Sequence, residues 1–351
     1  MVDKYTSQDQ WEAAAKKALG KEHEIPARWD ACKDSIIAFC DAAGDNNPLY
    51  IDEEYARKSR FGEITAPLMF LYKVRNCNIG HAPLGPCLPY LPFEGINAPL
   101  AIVNFETAHP IYVGDRFTVR TKITDVYRKQ TKSRGMGVWV EMEARYFNQR
   151  KELVGTIWMT EPMLVTPPVP RVEHPPVGFN EDDPENPDRL ALERTRRGAE
   201  PRYWEDVEVG DELTPLRKGL ATSSESARWS IACHLGQRIL STTHGDREII
   251  NGWSVDSLAG TGGGGVGQQR AAWLAQLVTD WMGDEGTIKK LWSQMRKPYN
   301  AGDINVCKGK VTKKYIEADE HLLDCDIWVE SQRGVYTPGR ATVALPSKKK
   351  G

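Results

Sequence analysis

HPIYVGDRFTVRTKITDVY, residues 109–127, has a counterpart in KPYNAGDINVCKGKVTKKY, residues 297–315. Pro110, Gly114 and Asp115 match Pro298, Gly302 and Asp303 at one constant offset. In both copies a proline enters an extended segment, a Gly-Asp turn follows, and an alternating strand leaves it. Phe117, Val119, Thr121 and Ile123 fall on one face of the first such strand. A further strand follows in each half, GVWVEMEARYFN (137–148) and HLLDCDIWVESQ (321–332). Each half then closes on another, VGTIWMTEPML (154–164) and RATVALP (340–346). Ahead of these strands lie two helices, APLMFLYKVRN (66–76) and QQRAAWLAQLVTDWMG (268–283), apolar over much of their circumference. Such helices must be buried against a sheet. The pattern predicts an α+β fold made twice over, each half a curved antiparallel sheet wrapped around a long central helix.

The division falls at TPPVPRVEHPPVGFNEDDPENPD, 166–188, which is dense in proline and acid and has no apolar period. It can neither join a central strand nor continue a helix, so it is expected to run extended over a surface. The expected domains are 1–165 and 203–346, with a proline-rich linker over 166–202 and a basic tail over 347–351. Of the 351 residues 40% are hydrophobic and 27% charged, and the net charge is −2. The one basic block is Lys348–Lys350, so neither nucleic acid nor a membrane surface is an expected partner. Seven cysteines at irregular spacing, without a CxxC, predict no disulfide framework and no metal site. The N-terminus reads as an amphipathic helix rather than a signal peptide, and the expected location is the cytoplasm.

The chemistry concentrates in SIIAFCDAAGDNNPLYIDEEYARKSRFGEITAPLMF, 35–70. This stretch resembles the signature of the MaoC-like acyl-CoA hydratases and dehydratases. Phe39, Gly44, Asp45, Asn47, Pro48, Asp52 and Ala56 fall in place, and Tyr50 stands where the family carries histidine. The variant, with its Ala-Pro entry to the central helix, resembles the fungal-synthase-type dehydratase domain of two-hotdog relatives. The openings YWEDVEVGDEL (203–213) and TDWMGDEGTIKKLWSQMRKPYNAGD (279–303) resemble the family's second half. The resemblance implies a tandem double hotdog whose activity is reversible hydration of an enoyl thioester. The implied substrate is an acyl-CoA with a bulky or aromatic acyl group, and no separate cofactor is implied.

Such a reaction needs a base for water, a proton source for the α-carbon, and donors for an oxygen that becomes enolate-like. Asp45 is the candidate base, with Asn47 and Tyr50 assisting. A tyrosine with an ordinary pKa of about 10 is a poor base at neutral pH. Pro67 has no N–H to offer at the first helix entry. The second half departs elsewhere. Aligned on Trp229, its Gly-Asp position becomes His234-Leu235 and its histidine position Leu240. Gly267 aligns with the glycine whose N–H serves the thioester oxygen and is the alternative donor. Gly265, Val266, Gln268 and His234 are candidate substrate contacts. The run GTGGGGVG, 260–267, lacks the strand and the Lys-Ser/Thr of a nucleotide fingerprint and reads as a loop or as the lip of a pocket. The insertion NCNIGHAPLGPCLPYLPFEGINAP, 76–99, is either a surface loop or the wall of an acyl pocket. Two other readings stay open: a non-catalytic acyl-CoA-binding or partner subunit with altered motifs, and a thioesterase. A further homodimer is expected, because a hotdog sheet has edges to protect.

Overall fold

The computed structural model describes residues 7–27, 29–74, 96–97, 100–131, 135–165, 183, 185–222, 225, 228–229, 232–233, 267–297, 299 and 302–349. The chain opens on helix α1 (Gln8–Ala18), capped by the Ser7 side chain, which accepts from Gln10 N. Strand β1 (His23–Pro26) and the short helices α2 (Lys33–Ala43), α3 (Pro48–Ile51) and α4 (Glu53–Lys58) follow. After β2 (Thr65–Ala66), helix α5 (Phe70–Val74) enters the core with every described residue buried. Strands β3 (Ile96–Asn97), β4 (Ile102–Thr107), β5 (Ile111–Tyr112), β6 (Phe117–Thr131), β7 (Gly135–Asn148) and β8 (Leu153–Val165) complete the first half. The linker carries α6 (Pro187–Leu192), and the second half begins with β9 (Glu212–Leu220). Helix α7 (Gly267–Met282) and strands β10 (Thr287–Gln294), β11 (Ile304–Glu317), β12 (Glu320–Ser331) and β13 (Gly334–Ala344) follow.

All the described strands but two form one sheet in the order β1-β6-β7-β8-β4-β10-β13-β12-β11-β9, with β3 paired to β8, while β2 and β5 pair separately. Five strands of that order come from each half, and the antiparallel pair β4–β10 joins them. Phe105 faces Leu291 across that seam, and both are fully buried. Burying a side chain of this size contributes about 1.5–3 kcal/mol, so the seam is apolar core rather than a contact between finished surfaces. Every residue of α7 except Gly267 and Thr279 is buried, so it is wrapped as its composition demands. At Gly155 on β8 a Cβ would lie 2.9 Å from both Leu71 Cδ1 and Glu106 O, so glycine lets α5 press onto the sheet.

The internal repeat is a repeat of backbone geometry. Gly114 and Gly302 share φ +89°, a left-handed value that glycine adopts without strain. Each turn is locked to a distant alanine by the same reciprocal pair. Gly114 N donates to Ala31 O and Ala31 N to Asp115 O; Gly302 N donates to Ala221 O and Ala221 N to Asp303 O. Each aspartate is buried and pairs with an arginine, Asp115 with Arg150 and Asp303 with Arg333.

The linker departs from its expected course. Residues 166–182 lie outside the described residues, but Asn186 accepts from Asp188 N and Arg189 N and starts helix α6 on Pro187. Proline at a first helical position loses no hydrogen bond, so the segment that looked extended ends in a helix. Just beyond it, Arg194 and Arg196 reach inward between the halves, while Arg197 pairs locally with Glu200.

Candidate functional site

Local geometry explains the signature stretch first. Helix α2 stops at Gly44, which takes φ +63°, and Asp45 N reaches back to Cys40 O at 2.8 Å. Asn47 caps α3, its Oδ1 accepting from Leu49 N at 3.1 Å, and Pro48 sits at the first helical position. Asp52 caps α4 by accepting from Glu54 N and Tyr55 N. Asp52 is therefore a cap, and Asn47 is a cap with a free end. Its Oδ1 is fixed as the acceptor, so its Nδ2 points the other way and has no partner among the described residues.

The turn is held from the second half. Lys218 donates to Ala43 O (2.8 Å), Gly44 O (3.1 Å) and Gln276 Oε1 (3.0 Å), and Gln276 Nε2 donates to Gly44 O at 2.9 Å. Asp45 is 5% exposed, and its Oδ1 accepts from Asn47 N (3.2 Å) and Arg194 Nη2 (3.1 Å). Arg194 also forks onto Asp280, with Nε at 2.6 Å from Oδ2 and Nη2 on Oδ1, and donates through Nη1 to Asn46. Arg196 donates to Asn47 Oδ1 (2.9 Å), Asp284 Oδ1 (3.0 Å) and the Tyr55 hydroxyl (3.2 Å), and that hydroxyl donates to Asp284 Oδ2. Two linker arginines thus tie the Asp45–Asn47 turn of the first half to Asp280 and Asp284 of the second.

Beside this network lies a cavity of about 290 Å³, lined by both halves. Its walls are polar and apolar in near-equal measure, with Leu68, Leu71, Ile111, Val154, Met282 and Ile288 supplying much of the apolar part. Asn47 and Tyr50 line it, as do Arg60, His109 and Asp284. Asp45 does not. Burial first, then the charge of Asp45, pushes the Tyr50 phenol well above its usual range, so it stays protonated. Its hydroxyl has no partner among the described residues. Burial pushes the Asp280 carboxyl up to about 6, against the pull of Arg194.

The expected site residues therefore separate. Asp45, Asn47 and Tyr50 come together, two of them on the cavity wall. Gly267 and Gln268 stand at the opposite end of α7, and Gly267 lies thirteen residues before Asp280. At 1.5 Å per residue that is about 20 Å, so Gly267 and Asp45 do not share one reaction centre. Gly267 instead backs onto Met295 and Leu100, whose side chains a Cβ there would meet at 3.0 and 3.3 Å. Gly265, Val266 and His234 lie outside the described residues, as does most of the 76–99 insertion. Reading the sequence missed Arg194, Arg196, Asp280 and Asp284. One signal existed: Asp280 sits in the last turn of a helix with no basic residue there, where the helix dipole disfavours an acid unless a cation comes from elsewhere.

A family model described as FAS1-like, dehydratase domain region, matches residues 23–157. A UPF0336 protein of Thermobifida fusca (strain YX) is 32% identical over 108 residues, 31% of this chain and 69% of that protein. A UPF0336 protein of Streptomyces griseus is 25% identical over 111 residues, 31% of this chain and 70% of that one. Among solved structures, a MaoC-like dehydratase superposes with TM-score 0.65 at 14% identity, over 95% of this chain and 100% of that one. A Mycobacterium tuberculosis protein described as having a double hotdog fold gives 0.56 at 11% identity, over 94% and 97%. A MaoC-like dehydratase from Phytophthora capsici gives 0.54 at 14%, over 95% and 99%. The eleven-strand sheet with a buried helix in each half defines a double-hotdog protein. The chain belongs to the family of the UPF0336 proteins, residues 23–157 match the FAS1-like dehydratase domain region, and the fold is the one seen in MaoC-like dehydratases. No helix among the described residues is long and apolar enough to cross a membrane.

Proposed function

We propose that the chain is a hydro-lyase that adds water to, or removes it from, an enoyl or 3-hydroxyacyl thioester held in the cavity between its halves. One observation carries the reading: two unpartnered donors of the signature stretch, Tyr50 Oη and Asn47 Nδ2, belong to residues on one cavity wall. A thioester oxygen turning enolate-like needs such a pair, and Pro67 cannot supply it from the backbone. A phenol kept protonated suits that role better than the role of base. The apolar part of the wall, with Leu68, Leu71, Val154 and Ile288, suits a bulky or aromatic acyl group, and an acyl-CoA is the simplest substrate of that kind. Asp45 is the proposed base, reaching the cavity through a water molecule from behind Asn47 and Tyr50. His109, on the wall itself, is the other candidate base.

The test uses the purified full-length chain with crotonyl-CoA and larger, aromatic enoyl-CoAs, following loss of the conjugated thioester. Tyr50→Phe should lower kcat/KM by ten- to a thousandfold without moving Tm by more than a few degrees. Asp45→Asn should abolish turnover, and unchanged turnover removes Asp45 from the mechanism; His109→Gln then decides whether the imidazole acts instead.

A second reading, an acyl-thioester-binding subunit without turnover, is favoured by the Arg194 contact that occupies Asp45 Oδ1 and by the absence of Asp45 from the cavity wall. Saturable binding of an enoyl-CoA that is never hydrated, with Tyr50→Phe weakening the binding, selects it.

A further inference from the structure

Arg270 stands one turn into α7 and is 4% exposed. A buried guanidinium is costly unless a counter-charge answers it. Among the described residues it has no carboxylate partner. Its Nη1 is spent on Lys297 O (2.7 Å) and Thr337 Oγ1 (2.9 Å). Its plane is held by the rings of Tyr336 and Tyr299, whose centroids lie 5.6 and 5.9 Å from Cζ. Those rings are fixed in turn: the Tyr336 hydroxyl donates to Asn305 Oδ1 at 2.6 Å and the Tyr299 hydroxyl to Gln269 Oε1 at 2.9 Å. The acid Glu225 is reached only through Gln269, at 3.5 Å. What remains is the Nε–Nη2 edge of the guanidinium, and neither nitrogen has a partner among the described residues. Asn305 Nδ2, held on the same tyrosine, is another enclosed donor without an acceptor.

That edge is the planar fork that binds a carboxylate through two parallel hydrogen bonds. The rest of the side chain is locked by packing, so little entropy is lost when an anion docks. We propose that Arg270 is the receptor for a carboxylate inside the second half, an anion site separate from the cavity beside Tyr50. Ten residues of helix lie between Arg270 and Asp280, about 15 Å, so an occupant of one site does not fill the other. The ligand chemistry is a small carboxylic acid, or the free carboxyl of a larger acyl group.

Thermal unfolding of the full chain is measured with increasing sodium benzoate or sodium succinate, against sodium chloride at matched ionic strength and against sodium phosphate. The expected result is a saturable rise in Tm with a carboxylate. Arg270→Lys, which keeps a charge but loses the fork, should weaken the apparent affinity at least tenfold, and Arg270→Met should abolish the response. Without anion, Arg270→Met should melt no lower than the parent chain, since it removes an unanswered buried charge. Tyr50→Phe should leave the carboxylate response unchanged, so this site fails or stands apart from the proposed reaction. The proposal is overturned by no saturable rise with either carboxylate in the parent chain. It is equally overturned by an equal rise in Arg270→Lys, or by a response to phosphate alone.

Discussion

Asp45 Oδ1 receives two donors, one from its own turn and one from a linker 149 residues away. A carboxylate so engaged is oriented before any ligand arrives. The neighbouring Tyr50 is affected in turn, because burial and the Asp45 charge together keep its phenol protonated. A different balance holds at Glu225, whose carboxyl burial raises from 4.5 to about 7. The folded chain there keeps a proton that the unfolded chain gives up near pH 4.5. Stability should therefore fall as pH rises from about 4.5 through about 7, by up to about 3 kcal/mol. Denaturant midpoints across that range check the slope, and Glu225→Gln should flatten it. A slope that survives the substitution assigns the titration to another group.

At the scale of elements, the decisive contact is between the linker and the C-terminal end of α7. Arg194→Met would leave Asp45 and Asp280 buried without their cation, and breaking such a pair costs about 3–5 kcal/mol. Adding Asp280→Leu should recover part of that loss, because one of the two stranded charges is gone. A double-mutant cycle by urea unfolding measures the coupling, and additive losses would mean that the pair is not the clamp described. This contact also marks where the sequence stops being legible. Six of the long strands, the second helix and the matched turns could be read because alternation, apolar surface and a glycine at positive φ leave local traces, whereas the seam strand β4 was not read and the first helix, expected over 66–76, is described only over Phe70–Val74. Arg194 and Arg196 leave none: they lie in a proline-rich linker, and their partners are remote along the chain. Gly267 was readable as a helix start, but its distance from Asp45 depends on which ends of two helices meet, and no local pattern encodes that. The cavity wall was half legible, since Asn47 and Tyr50 stand in the signature while His109 and Asp284 come from loops of different halves.

The whole molecule is one sheet shared by two copies of a unit, and neither copy is finished alone. Cut between 165 and 203, the first half would expose the β4 edge with Phe105, and the second the β10 edge with Leu291. Each half expressed separately should aggregate or self-pair on size-exclusion chromatography, while co-expression should restore a one-to-one complex. Two well-behaved monomers would contradict the shared core. The linker residues 194–198 belong with this test. A cut after Gly198 leaves Arg194 and Arg196 on the first half, so the reassembled complex should keep its ties to Asp280 and Asp284.

The β4–β10 seam joins parts of a single chain, and this bears on how the protein behaves when scarce. Two separate subunits would come apart on dilution and take the cavity with them. Here the partners stay at a fixed effective concentration, on the order of millimolar or more, set by their tether. Ligand capture should accordingly show no dependence on protein concentration down to nanomolar levels. Freed from the need to pair with an identical copy, each half could drift toward its own task, and the two ends of α7 now show different chemistry.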